Sequence, residues 1–405
     1  MKIYLVGGAV RDLLLKKPEK DKDYVVVGST PDEMLSLGYD QVGESFPVFL
    51  HPETKDEYAL ARKERKTSKG YAGFSFDFDK NVTLEEDLLR RDLTINAIAM
   101  DLETKEIIDP YGGAKDLEDK IIRPVSEAFM EDPVRVLRAA RFAAKYDFSF
   151  SKEIFPVVKE MKESGELSSL TGERVLIELE KAFELEKPSV FFDKLKELDV
   201  LDVVFPHIHR LIGVEQNPLY HPEGDCYIHT MLVLDKAREK TTDFKVLYTA
   251  LVHDLGKGVT PKEILPKHIG HEEGGLPLVK EMSDFLRVDR RTKEFAMAFC
   301  KEHLNIHRSM EIRPTKVVRL LRRLRATKVE EESRLRGFLL CSLSDSLGKN
   351  RKEYIQADYL MECFKAIQKV KPKDLIKEGF SKDKIKQVIE EAMSKEVNKV
   401  KEKYK

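Results

Sequence analysis

The spacing of apolar residues changes character along the chain. Lys2 to Val6 reads as a short strand, Gly7-Gly8 as a tight turn, and Val10 to Leu15 as the start of a helix. Tyr24-Val25-Val26-Val27, ended by Gly28, is a β-branched run of the kind found in buried strands. Thr30 then supplies a helix cap, followed by Pro31 at the first helical position and Asp32 and Glu33 in the first turn. Phe46 to Leu50 and Glu57 to Arg62 are further strand candidates. Lys66 to Asp79 is rich in Gly, Ser and aromatics without a clear period, and reads as a loop. Beyond Glu131 the period becomes helical, through Val134–Phe142, Val175–Phe183 and onward from Tyr227. Lys316 to Lys328 is amphipathic and basic, with Val317, Val318, Leu320, Leu321 and Leu324 on its apolar side. The stretch from Ser381 to Lys405 reads as a Lys-rich, solvated helix.

Composition narrows the class. The chain has 405 residues, enough for two or three domains, and 71 Lys+Arg against 72 Asp+Glu leave a net charge of −1. This excludes a polybasic or acidic disordered chain, and any basic surface must be local. No apolar run approaches the roughly 18 residues of a membrane span. The N-terminal apolar stretch is too short for a signal peptide. Cys226, Cys300, Cys341 and Cys363 lie far apart without a C-x-x-C pair, as expected of reduced core thiols in a cytoplasmic protein.

The first candidate chemistry lies in the N-terminal part. Gly7-Gly8 with Arg11-Asp12 joins a strand to a helix, where glycines let a phosphate approach the backbone and Arg11 adds positive potential. Asp21 and Asp23 open the next strand, and a period of two puts both carboxylates on one face, able to hold Mg²⁺ against a nucleoside triphosphate. That fits two-metal nucleotidyl transfer. Glu57 or Glu64 would complete the carboxylate set, and the sequence does not choose between them. A second D-x-D, Asp77 and Asp79, falls in the expected loop and reads as a solvated face. No Walker A pattern is present.

Five blocks in order resemble the class II tRNA nucleotidyltransferases. Gly7-Gly8-Ala9-Val10-Arg11-Asp12 with Asp21-x-Asp23 is similar to their motif A, and Arg90-Arg91-Asp92-Leu93-Thr94-Ile95-Asn96-Ala97 to motif B. Asp109-Pro110-Tyr111-Gly112-Gly113 with Asp116 resembles the link from head to neck. The stretch from Glu131-Asp132-Pro133 through Arg135, Arg138 and Arg141-Phe142 resembles the base-recognition motif, and Gly172-Glu173-Arg174 with Glu178 the last neck motif. The resemblance implies that Asp21 and Asp23 are catalytic Mg²⁺ ligands, and that Gly8, Arg11, Arg91, Arg138 and Arg141 bind ATP or CTP. It implies base recognition by Asp132 and Arg135. Spacing alone puts Asp132, Arg135 and Arg138 on one helical face, where a carboxylate and a guanidinium offer an acceptor and a donor fork to a base edge.

The second candidate centre gathers His229, the His253-Asp254 dipeptide and Asp345. Their order matches the HD metal-dependent phosphohydrolases, and imidazole with carboxylate suits a divalent transition metal. His268, His271, His303 and His307 are candidates for a second metal or a substrate phosphate. The resemblance is to the multifunctional bacterial type, and it implies 2′,3′-cyclic phosphodiesterase, 2′-nucleotidase and phosphatase activities with a divalent transition metal; Ni²⁺ is the ion preferred by the family's phosphatase, and the sequence leaves the metal of this chain open. The implied fold is α+β: a mixed-sheet nucleotidyltransferase head at 1–125, a helical neck at 126–226, an HD-type body at 227–350 and a helical tail at 351–405. The implied activity is addition of C, C and A to tRNA by a monomer or homodimer. A poly(A) polymerase or a CC-adding enzyme of the same superfamily is the alternative.

Overall fold

The computed structural model describes residues 1–18, 22–42, 48–66, 74–77, 80–219, 221–349, 353–375 and 381–405, with strands 63–66 and 74–77 described by backbone alone. Asp21, Asp79 and the Glu64 side chain therefore lie outside the described residues. The chain divides into two compact units, Met1–Glu178 with Val190–Val204, and Leu179–Ser189 with Phe205–Lys405.

The first unit begins with β1 (Lys2–Val6), a helix at Gly8–Leu14 and β2 (Asp23–Val27). A helix at Pro31–Ser36 follows, with the Thr30–Glu33 capping box formed in both directions. Then come β3 (Asp40–Val42), β4 (Val48–Leu50), β5 (Glu57–Leu60), β6 (Lys63–Lys66), β7 (Phe74–Asp77), β8 (Ala99–Asp101) and β9 (Ile107–Ile108). Among the described residues seven strands form one sheet in the order β3-β4-β5-β2-β1-β8-β9, mixed because β2 and β5 run parallel while the other pairs are antiparallel. Alternation assigns the faces: Val25 packs with Tyr4, Val6 and Leu88 on one side, and Val26 with Met34, Phe49 and Leu60 on the other. The expected loop over Lys66–Asp79 contains structure: Lys63↔Asp77 through Lys66↔Phe74 pair antiparallel, so Asp77 belongs to a strand.

Helices follow at Val134–Tyr146 and Ile154–Glu163. The expected single helical face for Asp132, Arg135 and Arg138 is corrected at its first member. Asp132 is extended (φ −132°, ψ 109°) and precedes the helix, because the residue before a proline is pushed out of the helical region and Pro133 follows it. Its carboxylate accepts from the Val134 N–H at 3.1 Å instead.

The second unit is helical. Its core stacks Phe295 on Phe338 with centroids 4.0 Å apart, and adds Phe299, Leu320, Leu321, Tyr359 and Phe364. The Lys-rich tail forms a helix at Lys382–Lys403, but Val397 and Val400 are buried in that core. It is a packed element rather than a solvated one. Arg319 and Arg322 of the basic helix Pro314–Arg323 are both committed to Glu390 of the tail, at 2.8 and 2.6 Å. The four cysteines are buried free thiols. No described helix is long and apolar enough to cross a membrane.

Candidate active sites

In the first unit, β1 delivers the chain to the glycine turn beside the acidic strand: Val6 is the register partner of Asp23. Glu57 is the partner of Asp23 on its other side, in the parallel pair β2–β5. Register partners share a face, so among the described residues Glu57 is the carboxylate brought next to Asp23. Gly7 has φ +66°, and a Cβ there would lie 2.9 Å from Arg91 Nη1. The first glycine is thus demanded by backbone and by an arginine together. Gly8 sits against Arg11, its would-be Cβ 3.4 Å from Nη2.

Both arginines are held in place. Arg11 is buried, donating from Nε to Asp12 at 2.9 Å and from Nη1 to Asn96 Oδ1 at 2.5 Å. Arg91 donates to the Asn96 carbonyl at 3.4 Å and pairs with Asp87 at 3.3 Å, while Arg90 pairs with the same carboxylate at 2.7 Å. Asp87 has no exposed side-chain surface. Burial alone would raise its pKa, but the Arg90 and Arg91 charges hold it below the usual range. Asn96 in turn donates to Asp92 at 3.1 Å, so one amide links motif A to motif B.

Asp92 also accepts from Arg138 Nε at 2.7 Å, and Arg141 meets the buried Glu178 at 2.5 Å. Burial works against the Asp92 anion, yet Arg138 together with Asn96 brings its pKa down to about 2. Asp132 is not paired with Arg135. Both of its oxygens accept from Arg174, at 2.8 and 2.7 Å, while Arg135 donates to the Ala128 carbonyl at 2.9 Å. Asp109 is structural: it caps the helix Gly113–Asp119 through the N–H groups of Gly113 and Ala114 at 2.7 and 2.8 Å.

The second unit brings His229, His253, Asp254 and Asp345 together. They come from the helix Cys226–Arg238, the end of the helix Phe244–Val252, and the helix Glu332–Gly348. His229 Nε2 lies 3.0 Å from Asp345 and 3.7 Å from Asp254, and His253 Nε2 lies 3.2 Å from Asp254. His271 and His303 join on the other oxygen of Asp254, at 3.3 and 3.5 Å, with their Nε2 atoms 3.1 Å apart. His268 does not join: its nitrogens bond Thr260 and the Glu215 carbonyl. His307 braces Asp345 at 2.6 Å and bonds the Tyr354 hydroxyl at 2.9 Å.

This cluster fits a metal centre on its own chemistry. His229 Nε2, His253 Nε2 and Asp254 Oδ1 are buried and have no aligned hydrogen bond among the described residues. Such atoms are costly unless a ligand takes them. His229, His253 and Asp254 can converge on one ion, and Asp254, His271 and His303 on another. Burial would raise the pKa of Asp254, but His253 and Lys257 hold it well below the usual range. His253 is raised, because Asp254 and Asp345 outweigh its burial. Lys257, unassigned from sequence, is buried with Nζ 2.6 Å from Asp254, and Lys349 lies 2.8 Å from Asp345.

Residues 3–123 match the poly A polymerase head domain model, and 147–212 the probable RNA- and SrmB-binding site of polymerase A. The multifunctional CCA protein of Acinetobacter baumannii (strain AYE) is 50% identical over 381 residues, covering 93% of this chain and 92% of the relative. The chain belongs to the multifunctional CCA protein family. The Acinetobacter baylyi member is 48% identical over the same span. Solved CCA-adding enzymes share the fold at lower identity. An apo form has TM-score 0.67 at 23% identity, covering 98% of this chain and 88% of that one. A complex with ATP has TM-score 0.66 at 22%, covering 98% and 87%. This member of the multifunctional CCA protein family has two polar centres, one in each compact unit.

Proposed function

We propose that this protein adds C, C and A to the 3′ end of tRNA from CTP and ATP, and that its histidine centre hydrolyses phosphoesters. Family membership at about half identity over nearly the whole chain carries the first part. In this reading the tRNA 3′-hydroxyl releases its proton to solvent and attacks the α-phosphorus, an O–P bond forms, and the bond to the bridging oxygen breaks as pyrophosphate leaves. Asp21 and Asp23 would hold Mg²⁺, which supplies charge neutralisation at the triphosphate. Gly8, Arg11, Arg91, Arg138 and Arg141 bind the nucleotide. Asp132, fixed by Arg174, and Arg135 present an acceptor and a donor to the Watson–Crick edge, in place of a nucleic-acid template.

The histidine centre supports the second part through its orphaned nitrogens and carboxylate oxygen. His229, His253, Asp254 and Asp345 would hold one divalent ion, Ni²⁺ being the ion the family's phosphatase prefers, and His271 with His303 extend the set. A bound ion there supplies polarisation of a phosphoryl oxygen and a more acidic water. Lys257 holds Asp254 in its anionic form, and the 2′,3′-cyclic phosphate, 2′-phosphate and simple phosphomonoester are the substrates of this reading. Substitutions in each centre test the division. Asp23→Ala should abolish nucleotide addition and keep phosphatase activity, and His253→Ala or Asp254→Ala should do the reverse. Loss of both activities in either folded variant refutes the two-site reading.

A further inference from the structure

The end of the helix Val134–Tyr146 gathers more positive charge than its carboxylates balance. Phe142 and Tyr146 lie parallel, centroids 6.2 Å apart and planes at 4°. Arg11 stands over both rings at 5.0 and 5.1 Å, with Arg138 and Arg141 over Phe142. Lys17 and Lys145 stand over Tyr146 at 4.6 and 5.1 Å. The three arginines each have a carboxylate, Asp12, Asp92 and Glu178 respectively. Lys17 and Lys145 have no ion pair among the described residues. A helix C-terminus favours a lysine, but that does not bring two ammonium groups from different helix ends onto one ring. Each cation–π contact contributes about 0.5–1 kcal/mol at exposed sites, while the crowded cations repel one another. Burial, followed by the charge of Arg11, lowers the pKa of Lys145, with Arg141 and Lys17 adding to the effect. Tyr146 is itself anchored, its hydroxyl donating to Asp12 at 3.0 Å.

The row is continuous with the glycine turn, because the Arg11 guanidinium that stands over Tyr146 also lies 3.4 Å from where a Cβ on Gly8 would sit. We propose that Lys17 and Lys145 form the subsite for the terminal phosphates of the incoming nucleoside triphosphate, and for pyrophosphate after transfer. This rests on the nucleotidyl-transfer reading and extends it past Arg11. An arriving anion relieves the repulsion among the ammonium groups and accepts charge-assisted hydrogen bonds from both. Tyr146 and its bond to Asp12 keep Lys17 and Lys145 on the same side of the turn as Arg11.

The test is equilibrium binding of CTP and of CMP to the full chain with Mg²⁺ and without tRNA. Wild type is compared with the double variant Lys17→Ala/Lys145→Ala, and with Lys17→Arg/Lys145→Arg as the charge-keeping control. The expected result is CTP binding weakened roughly tenfold in the alanine variant, CMP binding within about twofold of wild type, and recovery in the arginine variant. Pyrophosphate inhibition of addition should weaken in parallel, with the KM for tRNA unmoved. Unchanged CTP binding, an equal loss of CMP, or a loss confined to the tRNA KM overturns the assignment. Wild-type protein that bound no CTP at all would instead remove the nucleotidyl-transfer reading on which it stands.

Discussion

Replacing Arg174 by alanine should damage base selection more than folding. Its guanidinium spans both Asp132 oxygens at 2.8 and 2.7 Å, with side-chain exposures of 23% and 16% for the two partners. A single hydrogen bond to a charged group contributes about 1.5–3 kcal/mol, and partial exposure moves this pair toward the lower end in total, about 2–3 kcal/mol. Without Arg174 the carboxylate is free to turn, and it reaches the geometry a cytosine or adenine edge needs only part of the time. A loss of that size corresponds to roughly 30- to 150-fold in kcat/KM for CTP. Discrimination against UTP and GTP should fall together with it. Lysine should restore only part, since a point charge cannot span both oxygens in one plane. Single-nucleotide addition to a tRNA lacking its last three residues measures all of this, with thermal melting of the same samples reporting the fold. If the alanine variant adds C at the wild-type rate and selectivity, Arg174 does not orient Asp132 for recognition.

Other outcomes follow from the same arrangement. Asp87→Asn leaves Arg90 and Arg91 without their shared buried anion, and should cost about 3–5 kcal/mol by chemical denaturation while raising the KM for CTP; a loss below about 1 kcal/mol would contradict the burial argument. Asp92, at about 2 in the fold against an ordinary 3.8, contributes about 2 kcal/mol that is fully present above pH 3.8 and disappears as pH falls toward 2. Asp92→Asn should flatten that part of the acid-denaturation curve, and an unchanged curve would refute it. Chelation should end phosphatase activity and lower the melting temperature. Restoring Ni²⁺ at a hundred times its dissociation constant should return about 2.7 kcal/mol in wild type, but not in Asp254→Ala.

The sequence made the local elements legible. The strand–Gly-Gly–helix entry, the Thr30 cap and the change to helical periods after Glu131 each have a short-range cause, and each is where the pattern puts it. Asp132 departs from the face its spacing predicts because Pro133 restricts the residue before it, a signal carried by the sequence itself. What stayed hidden depends on long-range pairing. Sheet register selects Glu57 from the two carboxylate candidates as the neighbour of Asp23, Arg174 reaches Asp132 across 42 positions, and helix packing selects His271 and His303 from the four candidate histidines to meet on Asp254. Local periodicity carries no signal of those meetings.

A head that adds C, C and A and a histidine centre that does separate chemistry can be told apart in one assay. Extension of a tRNA transcript lacking its last three nucleotides, with CTP and ATP supplied separately and together, is the most direct test of that division. Two additions with CTP alone and a stop after one A with both are expected, unchanged in His253→Ala. A long A-tail from ATP alone, an arrest after CC with both nucleotides, or no extension by folded protein would contradict this reading.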